Sequence, residues 1–80
     1  GVEKNDVLFF RGLDNYPANQ LSIFNRWGDL LFSKPNYQQD GLYWDATFNG
    51  QLLPAGVYYY VLQVGTTAAP IKSSLTIVHP

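Results

Sequence analysis

The 80-residue chain offers little for covalent chemistry. Its single histidine, His79, stands one residue from the C-terminus, and there is no cysteine. Nucleophilic catalysis needs a nucleophile with a positioned base. Here that would require Ser73 or Ser74 to work with a residue at a chain end, where ordering is weakest. Asp40 and Asp45 are the one spacing that resembles a carboxylate pair for glycosidic cleavage. Asp40 precedes Gly41, however, and reads as a turn residue. Asn5-Asp6 supplies oxygen donors of the kind calcium takes, but far fewer than the six to eight or so it needs. They read more simply as caps of the first turn. The sequence therefore assigns no catalytic residue, no metal site and no cofactor, and the chain is expected to be non-enzymatic.

Binding chemistry is better represented. Arg26 lies between Asn25 and Trp27, inside a segment that otherwise reads as a strand. Arginine, tryptophan and tyrosine are the residues that most often anchor protein interfaces. Two readings of Arg26 follow: a partner anchor, or a side chain that stacks on an aromatic ring or pairs with Asp45. Tyr59, Tyr37 and Trp27 invite a flat carbohydrate-binding platform, against the simpler reading that they fill the core. Lys72 opens the last strand, Lys72 to Val78, which as a C-terminal edge strand is accessible to a partner's strand. Asn25, Arg26, Trp27, Tyr59 and Lys72 are the candidate partner-binding residues.

These side chains must be positioned by one small domain. A chain of this length buries only about 60% of its unfolded surface, and no disulfide can help. Five Phe, six Tyr and two Trp compensate, since each ring buries roughly 150–250 Å². The formal net charge is -1, with five Lys and Arg dispersed along the chain. No basic face for nucleic acid results. The longest apolar run, near Val57 to Leu62, is too short to span a membrane. There is no signal-peptide pattern and no methionine, so the chain reads as a piece of a longer protein or a processed product.

Runs rich in Tyr, Phe, Val, Ile and Thr, separated by Gly, Pro, Asn and Asp, predict strands and turns. The expected strands are Val7 to Phe10, Leu21 to Trp27, Leu30 to Ser33, a short extended piece at Tyr43 to Ala46, a strand end near Leu52, Val57 to Val64 and Lys72 to Val78. Gly28-Asp29 is expected as a two-residue hairpin loop, and Asn49-Gly50 as a turn. Alternation puts Leu21 and Ile23, Leu75 and Ile77 inward. Six or seven strands in this length predict an all-β fold, an immunoglobulin-like antiparallel β-sandwich. The run Ala55-Gly56-Val57-Tyr58-Tyr59-Tyr60 has the spacing of a tyrosine corner, with the Tyr58 hydroxyl bonded back to the preceding loop. Tyr60 then stands where an antibody domain has its second cysteine. On that register Tyr58, Tyr60, Leu62 and Val64 face the core, and Tyr59 faces away.

Five segments in order carry a family likeness: Asn5-Asp6-Val7, Gly12 to Pro17, Leu21-Ser22-Ile23-Phe24-Asn25-Arg26-Trp27-Gly28, Tyr43-Trp44-Asp45 and Leu53 to Leu62. Together they resemble the gliding motility-associated C-terminal domain, the type B sorting domain of the type IX secretion system. The Ile-Phe-Asn-Arg-Trp-Gly run is the most specific. The Pro-x-Gly-x-Tyr-x-Tyr run is shared with other immunoglobulin-like modules. The resemblance implies a single sorting domain over residues 1–80, at the end of a large surface adhesin or secreted enzyme of Bacteroidota. It implies recognition by the type IX translocon and its PorP/SprF-like outer-membrane accessory proteins, with cargo domains N-terminal in the same chain. It also implies export through the outer membrane to the cell surface. Two departures stand out. The family's opening Pro-Asn-Gly-Asp-Gly stretch is cut short, with Glu3-Lys4 ahead of Asn5, and the chain ends in His79-Pro80 rather than a basic residue. The alternative reading is a carbohydrate- or surface-binding module of an adhesin.

Overall fold

The computed structural model describes residues 2–3, 8–39, 43–65 and 69–78, the first two as backbone only. The expected Asn5-Asp6 caps, Asp40 and His79 lie outside those residues. The described chain is all-β. Its strands are β1 (Val2–Glu3), β2 (Asn19–Phe24), β3 (Leu30–Pro35), β4 (Thr47–Phe48), β5 (Gln51–Leu52), β6 (Gly56–Val64) and β7 (Ile71–Val78). Five of them form one sheet in the order β1-β7-β6-β2-β3, and β4 and β5 form a hairpin. All pairings are antiparallel except that of β1 with β7, which is parallel.

Strand periodicity builds the core. Leu21 and Ile23 of β2, Tyr58 and Leu62 of β6, and Leu75 and Ile77 of β7 are buried on one face. Tyr60 and Val64 pack against them half-buried. The alternation expected from the tyrosine corner is therefore the one observed. Facing this sheet is largely irregular chain, which contributes Leu13, Tyr37, Trp44 and Ala46 to the core. The hairpin leaves from Ala46 and returns at Leu53, whose N–H donates to the Ala46 carbonyl at 2.9 Å. Its turn is Asn49-Gly50, both with positive φ (54° and 79°), as a two-residue type I′ loop demands.

Irregular backbone inside a core must find hydrogen-bond partners, and buried polar side chains supply them. The Tyr37 hydroxyl donates to the Leu8 carbonyl and accepts from the Trp44 N–H, both at 2.7 Å. Asn19 Oδ1 accepts from the Tyr37 N–H at 2.7 Å, and its Nδ2 donates to the carbonyls of Tyr16 and Tyr37. Gln38 bonds both the N–H and the carbonyl of Phe10. These contacts correct the expected strand from Val7 to Phe10. Residues 8–10 are not in a ladder, because their backbone groups go to Trp44 and to the Gln38 side chain instead. They also correct the platform reading of Tyr37, which is fully buried (0% exposed).

Candidate partner-binding groove

The site begins where β2 ends. Sequence periodicity carries that strand to Trp27, but the ladder stops at Phe24, and five residues, Asn25 to Asp29, connect it to β3. Asn25 causes the break. Its Oδ1 accepts from the N–H groups of Trp27 and Asp29, each at 2.9 Å, and its Nδ2 donates to Asp29 Oδ2 at 3.0 Å. A short amide side chain competes in this way with ladder bonds and favours a turn. The Gly28 N–H donates to the Asn25 carbonyl at 3.0 Å, and Gly28 takes φ 87°, a conformation natural to glycine. The connection is therefore a five-residue loop in place of the expected two-residue Gly28-Asp29 turn.

This loop holds Trp27 out from the body of the domain, 72% exposed. The Arg26 guanidinium lies 4.4 Å from the centroid of the Trp27 ring. Of the structural readings of Arg26, aromatic stacking is the one observed. The Asp45 carboxylate instead accepts from the Thr47 hydroxyl at 2.6 Å.

The opposite wall comes from the chain leading into β6. The Tyr58 hydroxyl donates to the Pro54 carbonyl at 2.8 Å, which closes the tyrosine corner and fixes the loop from Leu53 to Gly56. Burial raises the Tyr58 pKa above the usual phenol value, and the nearby Arg26 charge partly opposes this. Between the walls runs a groove of about 480 Å³, lined by Asn25, Arg26, Trp27, Pro54, Val57 and Tyr59, among others. Tyr59 faces away from the core and is 47% exposed.

Four of the five candidate residues thus converge on one surface. Lys72 does not line it. It lies opposite Val61, while Tyr59 lies opposite Ser74, so Lys72 sits one row further along the outer face of the sheet. Its strand is also not the outermost, because β1 pairs with Ile77 and Val78. Sequence reasoning missed Leu31, Val57 and the Leu53–Pro54 wall. Val57 was readable as the outward neighbour of Tyr59. Leu31 was not, because it enters through a register shift between Ile23 and Phe24 that no local pattern announces.

Among the described residues, no cluster of three or more His, Asp or Glu side chains is placed to hold a metal ion. What the groove presents is two exposed rings and a stacked guanidinium, residue types enriched among interface anchors.

No curated protein and no solved structure matches the chain. A family model does, that of the CHU_C Type IX secretion signal domain, over residues 1–77. It describes a secretion signal and not a family of enzymes. Asn25 to Trp27, from the most specific run of the likeness, and Leu53 to Tyr59, from the run shared with other immunoglobulin-like modules, are the two walls of the groove. The chain belongs to the type IX secretion signal domains and is a C-terminal sorting signal for export across the outer membrane.

Proposed function

We propose that the groove between the Asn25–Asp29 loop and the Leu53–Gly56 loop is the surface that the type IX machinery reads. The direct partner is a PorP/SprF-like accessory protein of the outer membrane, and the exported protein ends at the cell surface. The domain itself catalyses nothing. The observation that carries this reading is that the most specific run of the likeness, Asn25 to Trp27, meets the Leu53 to Tyr59 segment in one groove, with Trp27 exposed at its rim. A ring that is 72% exposed contributes little to the core, and tryptophan is enriched among the residues that anchor interfaces. Arg26 adds a cation that favours an acidic or carbonyl-rich counterpart.

The carbohydrate reading loses much of its support. Tyr37 is in the core, and one face of Trp27 is covered by Arg26. Two accessible stacking faces are left for a sugar where three were expected.

The test is export of a reporter fused ahead of the domain in a bacterium that carries the type IX system. The fusion is expected to reach the medium or the cell surface. Trp27→Ala and Arg26→Ala are expected to leave it inside, with both variants folded by circular dichroism. Normal export of the folded double variant rules the groove out as the recognition surface. Glycan-array binding by the parent domain, lost in Trp27→Ala, would favour the carbohydrate reading.

A further inference from the structure

The two edges of the five-stranded sheet differ. On one side β3 carries devices that discourage further pairing. It ends in Pro35, it holds Lys34, and its ladder with β2 is broken by a register shift. On the other side β7 has eight residues, no proline and an unbroken register with β6 from Ile71 to Ile77. Among the described residues, the two of β1 cover Ile77 and Val78. From Ile71 to Thr76, no described strand pairs with the outer edge of β7. In an antiparallel pair, every second residue turns its N–H and carbonyl away from its partner. Those groups line this edge.

Among the described residues, the core face beneath the same stretch is also incomplete. Ile71 pairs with Leu62 and shares its face. Leu62 is 4% exposed and Ile71 is 52% exposed. Beside them is an apolar groove of about 500 Å³, lined by Phe10, Leu13, Tyr60, Leu62, Val64 and Ile71, among others. An edge with no described partner next to an apolar groove is what a sheet presents when one strand is supplied from outside it.

We propose that this edge and groove form a slot for one more strand, and that its occupant is the stretch of the exported chain leading into β1. The parallel register decides the occupant. Val2 pairs with Ile77 and Glu3 with Val78, so a strand continued upstream in this register would meet Thr76, Leu75 and Ser74 in turn. A strand that keeps this register reaches Ile71 about six residues upstream of Val2. A C-terminal signal is joined to its cargo on that side, so the segment is present at the high effective concentration of an intramolecular partner. Its chemistry follows from the slot. It is extended, free of proline at positions that donate to β7, and apolar at the alternate positions aligned with Ile71, Ser73 and Leu75. The inference rests on the family assignment and is independent of the Trp27 groove. Its consequence is that the last strand of the signal holds the end of the cargo linker.

Amide hydrogen exchange on the full exported protein tests this. The outward amides between Ile71 and Thr76 are expected to exchange about tenfold or more slowly than in a variant whose six residues before Val2 are replaced by proline. Amides of the β2–β6 ladder serve as the control for folding. Equal exchange in both proteins overturns the proposal. A second test needs no disruptive change. A cysteine four residues before Val2, aligned with a Ser73→Cys substitution, is expected to form an intrachain disulfide on mild oxidation. A cysteine placed two residues further upstream is expected not to. A crosslink between chains that grows with protein concentration would assign the slot to a second copy and overturn the proposal.

Discussion

The Tyr58 hydroxyl donates to the Pro54 carbonyl at 2.8 Å, and this single bond ties the second wall of the groove to the central strand β6. The Tyr58 ring itself is buried in the core. Tyr58→Phe is therefore expected to keep the fold and lose about 1–2 kcal/mol, from one hydrogen bond and a carbonyl left without its partner. Thermal unfolding should fall by roughly 5–15 °C for a domain of this size. Exchange of the backbone amides of residues 53–56 should quicken more than that of β2. A uniform change across the domain would mean that the bond does not act on the loop.

Gly28 is expected to be intolerant for backbone reasons alone. A Cβ built there meets nothing within 4 Å, yet φ is 87°. Gly28→Ala should cost about 1–2 kcal/mol, while Gly28→Asn should cost clearly less, because asparagine enters the left-handed region more readily. Urea unfolding of the two variants checks the order. Equal losses would point to a steric cause that the structure does not contain.

Much of this was legible in the chain, for reasons that can be traced to individual residues. The alternation of Leu21 and Ile23, and of Tyr58 and Leu62, encodes the buried face directly, and Asn49-Gly50 encodes its own turn. The end of β2 was misread because Phe24, Asn25 and Arg26 keep a strand-like pattern, while a side-chain amide at Asn25 decides the backbone. The stretch from Leu8 to Phe10 was misread because its partners, Gln38 and Trp44, are about thirty residues away. Tyr37 was open to both a core and a platform reading, and the core reading is the one observed. Its burial follows from packing across the core that no local period records. Convergence of the Arg26 and Pro54 segments was likewise invisible, although each was recognisable alone.

Tyr37 should set an alkaline limit to stability. Burial pushes its phenol up to about 12, against the opposing effect of the hydrogen bond from the Trp44 N–H. The folded state then holds the proton more tightly than the unfolded state, whose phenol titrates near 10. The contribution is complete below pH 10 and is lost as pH rises from about 10 to 12. Its size is on the order of 2 kcal/mol. Tyr58 is raised in the same direction by its burial. Tyr37→Phe should flatten the loss between pH 10 and 12. It should also lower stability at pH 7 by about 2–4 kcal/mol, because the Leu8 carbonyl and the Trp44 N–H lose their partner. Unchanged alkaline unfolding in Tyr37→Phe would assign the transition to other groups.

Trp27 and Lys72 should separate two ideas about where the signal is read. Both are exposed, so neither substitution to alanine should change stability by more than about 0.5 kcal/mol. Export provides the contrast. If recognition lies at the groove, Trp27→Ala removes an anchoring ring and should weaken partner binding by about tenfold or more, the cost of a hot-spot residue. Lys72, one row further along the sheet and opposite Val61, should behave as a rim charge, with an effect of less than about threefold that fades as salt is raised. Quantifying the secreted reporter for the two variants, at equal expression, decides between them. A large loss with Lys72→Ala and none with Trp27→Ala would move recognition away from the loop at Asn25–Asp29 and onto the outer face of β7.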